Sequence, residues 1–141
     1  MDTSNPVVQL CVAGMRAESE GRSDAARGLF AQAWAARQDD YDACIAAHYL
    51  ARHQDNADET LHWNWIALRH ADAVHDDRVR DFYPSLYLNL GSSHEAVGNL
   101  TEARQYYDLA AAQINALPPG PYRDMVQGGI TEGHSRTSAE S

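Results

Sequence analysis

Three stretches of this chain line up with one another, and a chain that repeats itself at this spacing has few architectures open to it. They run from Gly21 to Trp34, from Asp55 to Leu68 and from Gly98 to Ala111. The first two begin 34 residues apart, and the third follows after a further 43, one period plus nine. Each opens with a turn residue (Gly21, Asp55, Gly98) and then an N-cap candidate (Asp24, Asp58, Thr101). A small residue follows at Ala26, Thr60 and Ala103. Apolar side chains then recur at helical spacing: Phe30 and Ala33; Leu61, Trp65 and Leu68; Tyr107 and Ala110. A capping residue ahead of apolar positions three and four apart predicts an amphipathic helix.

A second helical stretch lies upstream of each turn, at Val8–Glu20, Asp42–His53 and one ending at Ser85–Val97. The unit is therefore helix, tight turn, helix, three times over. A single pair cannot hide its own apolar face, whereas stacked pairs bury it in their neighbours. Gly14 and Gly91 are expected to face Ala26 and Ala103 and let the paired helices approach, with Phe30 and Tyr107 filling the space between pairs. The fold class expected is all-α, a helix-turn-helix repeat solenoid of three antiparallel pairs plus a C-terminal capping helix.

Boundaries follow from breakers and composition. Residues 1–6 form an N-terminal lead, and repeats span about 7–40, 41–74 and 84–117, with an insertion at 75–83. Pro84 either bends a longer helix begun at Asp76 or Asp77, or opens the helix after a separate turn at Arg78–Tyr83. Pro118-Pro119-Gly120-Pro121 stops the last repeat, and a short capping helix is expected at Tyr122–Ile130, weakened by Gly128 and Gly129. Residues 131–141, polar and small, are expected to be disordered.

The third unit carries Tyr87, Leu90, Gly91, His94, Ala103 and Tyr107, and the first carries Leu10, Ala13, Gly14, Ala17, Ala26 and Phe30. This pattern resembles the tetratricopeptide repeat family over roughly Val7 to Leu117. The resemblance implies a non-catalytic scaffold whose first helices line a concave groove for a peptide or partner helix. Carried over by position, the groove takes Val8, Cys11, Met15 and Glu18; then Asp42, Ile45, Tyr49, Arg52 and His53; then Ser85, Leu88, Asn89, Ser92 and Glu95. The grooves of repeats 2 and 3 are expected to bind, with Arg52 meeting a carboxylate or else pairing with Glu95 or Asp55. The chaperone-binding branch of the family needs lysines and asparagines where this chain has Cys11, Met15, Ala46 and Ser85, with only Asn89 fitting.

The second unit is polar where its neighbours are small or aromatic, at His48, Thr60 and Asn64. Either these groups satisfy one another, or a one-residue slip puts Ala47 at the contact, or a polar pocket opens there. An alternative function, small-molecule or metal binding, would use His48, Arg52, His53 and Tyr83. The nearest metal motif, His94-Glu95-Ala96-Val97-Gly98, has glycine where a second histidine is needed. No phosphate loop, nucleophile elbow or Cys/His pairing occurs, so no enzyme activity and no cofactor are expected. A further alternative is a self-assembling module, a homodimer formed through an incomplete solenoid end or through an exposed Trp65, with Trp34 and Trp63 expected in the core.

Charge narrows the partners. Eleven arginines, no lysine and twenty acidic residues give a formal charge of −9, which repels nucleic acid and anionic lipid and favours a protein partner with basic residues. Two cysteines, no spanning segment and an N-terminus without a basic cluster point to the cytoplasm.

Overall fold

A computed structural model describes residues 3–139. Among them are seven α-helices and no β-strand. They are α1 (Pro6–Ser19), α2 (Ser23–Ala35), α3 (Asp40–Leu50), α4 (Ala57–Ala73), α5 (Tyr83–Ala96), α6 (Leu100–Gln113) and α7 (Pro121–Ala139). No described helix is long and apolar enough to cross a membrane. Sequential helices pack pairwise, α1 on α2, α3 on α4 and α5 on α6, with α7 following as a C-terminal helix. This is the all-α, helical-repeat architecture that the periodicity predicts. The chain divides into two compact units, one up to His75 and one from Asp76 onward.

In the first unit α3 docks on both α1 and α2, so the second hairpin rests on the first. Asn5 caps α1 by accepting the amide protons of Val7 and Val8, and Pro6 sits in the first turn where a missing N–H costs nothing. At the other end Gly21 adopts φ 75°, the amide of Gly21 donates to the Glu18 carbonyl, and that of Arg22 donates to Ala17. This paired closure satisfies the last carbonyls of α1 and turns the chain back into α2. Asp39 caps α3 and Asn56 caps α4 through the amides of Asp42 and Glu59.

In the second unit Gly98, at φ 86°, closes α5 in the same way, with Gly98 donating to Glu95 and Asn99 to His94. The insertion forms a 3₁₀ turn at Asp77–Phe82 headed by Asp76, and α5 begins beside Pro84. Of the two readings of Pro84, the structure takes the second: it opens the helix. The helix starts, in contrast, precede the expected caps. α2, α4 and α6 begin at Ser23, Ala57 and Leu100, leaving Asp24, Asp58 and Thr101 inside their first turns. The Asp24 and Asp58 carboxylates still face the positive end of the helix dipole there.

Gly14, Ala26, Gly91 and Ala103 are buried, and the atoms nearest to the two glycines belong to an aromatic ring. A Cβ on Gly14 would lie 2.3 Å from the Phe30 ring, and one on Gly91 2.7 Å from the Tyr107 ring. Each aromatic therefore fills the notch of its own hairpin, and both rings are fully buried. Burying a ring of this size contributes about 2–3 kcal/mol.

The largest departure from expectation is α7. Its helix does not end near Ile130 but continues to Ala139, so residues 131–139 are helical rather than disordered. Val126, Ile130, Gly133 and Thr137 point inward along one face, spaced as a helix buries them. Residues 140 and 141 of the expected tail lie outside the described residues.

Candidate functional site

Within the first unit, the side chains read as binding residues divide into buried and open ones. Asp42 is buried and accepts hydrogen bonds from the Asn5 side chain (2.7 Å) and the Gln38 amide (3.0 Å). Ile45 is core. Val8 and Cys11 of α1 are buried as well, because α3 covers that face. These four belong to the packed interior of the first unit.

The open part centres on Glu18. Its two carboxylate oxygens are held by Arg52 at 3.1 Å and by His53 at 2.6 Å. Asp55, one of the partners expected for Arg52, pairs with Arg27 instead. The Arg52 guanidinium also lies over the Tyr49 ring, 5.5 Å from its centroid, and half of the side chain stays exposed. Tyr49 stacks on Phe30 at 5.2 Å and His53 lies 5.5 Å from the same ring. Met15, half-buried one turn before Glu18 on α1, completes the row. The arrangement is a carboxylate–guanidinium pair set on an aromatic floor.

His48 resolves as the slipped register: Ala46 and Ala47 are fully buried and His48 is half-buried beside Tyr49, ring centroids 4.9 Å apart. Burial, reinforced by the nearby Arg52 charge, pushes its pKa down to about 4, so it is neutral at physiological pH. Asn64 is buried, Thr60 donates to the Asn56 carbonyl, and no buried side-chain nitrogen or oxygen among the described residues lacks a partner. Asn64 faces inward, and Trp65 is 43% exposed and covered by Arg69 at 4.8 Å. Trp63 packs edge-on against Trp34 at 5.0 Å.

Within the second unit α7 overlies the predicted positions. Ser85 is hydrogen-bonded to the Tyr122 hydroxyl, and Leu88 packs where Gly129 lacks a side chain, 3.0 Å from that missing Cβ. Glu95 accepts from the Tyr107 hydroxyl at 2.7 Å and from Arg136 at 2.7 and 3.2 Å. The Arg136 hydrogen bonds, chiefly, hold the Glu95 carboxyl below its usual range. Burial, then the Glu95 hydrogen bond, pushes the Tyr107 hydroxyl up to about 12. Asn89 is half-buried, Ser92 is exposed, and Tyr83 packs against Tyr87 at 5.6 Å.

Arg136 is the residue that sequence reasoning missed. The available signal was its position three residues after Gly133, as Arg52 stands three after Tyr49. The same glycines that weaken α7 concealed it.

Neither thiol is poised for chemistry: Cys11 and Cys44 are buried, and burial pushes both pKa values up to about 12. Among the described residues no three His, Cys, Asp or Glu side chains gather as a metal ion requires. Compared with known proteins, the chain matches no family model, no curated protein and no solved structure.

Proposed function

We propose that the chain is a tetratricopeptide-like, non-catalytic scaffold that binds a protein segment, using the first-helix row of the first unit. The observation that carries this reading is the half-exposed Arg52 guanidinium, fixed between Glu18 and the Tyr49 ring. An arginine held in this way keeps donors free for a carboxylate or a backbone carbonyl at little further entropic cost. Met15 and Tyr49 supply apolar contact beside it, and the recurring helix–turn–helix pattern supplies the family resemblance. The acidic charge of the chain steers basic partners toward it before docking.

Affinity capture with the full chain from its source cells, wild type against Arg52→Ala, tests this reading. A partner retained by the wild type and lost from a normally folded Arg52→Ala chain is the expected result. Equal retention of every partner by both chains overturns it.

A further inference from the structure

The second unit is closed by its own helix on the face that the first-helix positions of α5 present. α7 touches α5 through three of those positions: Tyr122 on Ser85, Gly129 on Leu88, and Arg136 on Glu95. It touches α6 through Gly133, whose missing Cβ would lie 2.3 Å from the Tyr107 ring, and through His134, bonded to Asp108 at 2.8 Å. Val126 and Ile130, buried in one cluster with Ala110 and Leu117, two small residues four apart, and an arginine three further on are thus the features by which a helix reads this surface.

α7 is also the helix least able to hold its own shape. It contains Gly128, Gly129 and Gly133, each costing a helix ~1 kcal/mol relative to alanine. Two of these make close contacts, but Gly128 faces open space with nothing within 4 Å of a Cβ. Its glycine therefore weakens the helix without improving any packing. Ahead of α7 stand the exposed Pro118 and Pro119 and then Gly120 at φ 153°, a short connection that carries no helix of its own. Its Arg136–Glu95 ion pair and its His134–Asp108 hydrogen bond lie toward solvent, where such contacts hold weakly.

We propose that α7 is a docked ligand in cis: it leaves α5 and α6 as one unit, and the face it vacates takes a partner helix with the same small–small–arginine pattern. Glu95 and Asp108 select a partner that is cationic at those positions. This inference rests on the reading of the chain as a protein-binding scaffold, but its first test does not.

Hydrogen exchange on the full chain is that test. Amides of α7 from Asp124 to His134 are expected to exchange at one common rate at least about tenfold faster than the α5 and α6 core. Gly128→Ala, which fills open space, should slow that rate about four- to fivefold and leave α5 and α6 unchanged. Exchange of α7 only together with α5 and α6, or a gradient rising from the C-terminus as in simple fraying, overturns the proposal.

The second test uses a labelled synthetic peptide of residues 121–139 added to a full-length Gly133→Ala chain, in which the alanine expels α7 from Tyr107. The wild-type peptide should bind this chain at a concentration where it does not bind the wild-type chain, and a peptide carrying Gly133→Ala should not bind. No binding to a variant that keeps its α5 and α6 protection contradicts the proposal; a variant that does not fold leaves the exchange of the wild type and Gly128→Ala to decide it. Finally, Gly128→Ala should weaken capture of a partner that uses this face. Undiminished capture together with loss in Arg52→Ala refutes the partner half of the proposal and leaves the function proposed for the first unit standing.

Discussion

α1, α2 and α3 in one unit and α5, α6 and α7 in the other carry out the same packing task with different side chains. Gly14, Glu18, Ala26 and Phe30 have counterparts at identical spacing in Gly91, Glu95, Ala103 and Tyr107. In each unit a glycine notch receives the ring of the following helix, and a glutamate one turn later receives an arginine, from the 3₁₀ turn Ala51–His53 after α3 in the first unit and from α7 in the second. Tyr49 and Arg52 on one side answer to Gly133 and Arg136 on the other. The first unit spends its volume on the docking helix, as Tyr49 stacked on a smaller ring. The second spends it on the hairpin, as a tyrosine whose hydroxyl reaches Glu95 while glycine makes room. What is held constant between the units is the glycine notch filled by a ring of the following helix and the carboxylate–guanidinium pair at its edge.

The sharpest way to break this equivalence is to add one carbon to either interlock. Gly14→Ala and Gly133→Ala each place a Cβ 2.3 Å from a fully buried ring, and both should destabilise by about 3 kcal/mol in denaturant unfolding, despite the better helix propensity of alanine. A variant as stable as the wild type would show that the ring can step aside and that the notch is not needed.

His48 aligns with Gly14 and Gly91 by repeat spacing, though it lies on a neighbouring face of its helix, and it should make the first unit sensitive to acid. Its folded-state pKa is lowered to about 4 from an ordinary 6.5. The stabilisation it brings is therefore complete above about pH 6.5 and is lost as the pH falls from there through 4, because the unfolded chain takes up the proton first. The loss is on the order of 2–3 kcal/mol. His48→Gln should flatten that part of the stability–pH curve in chemical denaturation; an unchanged slope would place the titration elsewhere.

Tyr107→Phe makes the second unit resemble the first at the ring while leaving Gly133 in place. It deletes the hydrogen bond to Glu95 and should cost about 1–2 kcal/mol by thermal or denaturant unfolding. The smallest effect belongs to the outer pairs. Arg52→Ala and Arg136→Ala remove half-exposed partners of Glu18 and Glu95, and each should change stability by less than about 1 kcal/mol. A much larger loss for either would mean that the pair holds the docking helix rather than trimming its edge.

The sequence disclosed the hairpins because their signals are local. Gly21 and Gly98 mark turns through backbone conformation, and Phe30 and Tyr107 mark faces through helical spacing. Docking of a later helix on an earlier pair depends on contacts between residues far apart in the chain, and the reading failed at those contacts. Asp42 and Ile45 follow the groove positions of the repeat, yet their surroundings bury them. Arg52 has several acidic residues within reach on paper, and only the packing of α3 against α1 selects Glu18. The helix at residues 131–139 contradicts its own composition: Gly133, Ser135 and Thr137 are poor helix formers, and burial of Thr137 against the hairpin outweighs that preference. Asn64 is buried while its neighbour Trp65 is exposed, since adjacent residues lie about 100° apart around a helix and only one of them can face the packed side.

The interlock itself is open to one direct measurement. Solution NMR of the full chain should show strong nuclear Overhauser contacts from the Gly14 α-protons to the Phe30 ring and from the Gly133 α-protons to the Tyr107 ring, with both glycines shifted upfield by the ring currents. Gly133 α-protons at unstructured shifts without a contact to Tyr107, while Gly14 keeps its contact to Phe30, would contradict the claim that the two units are built on the same three-helix interlock.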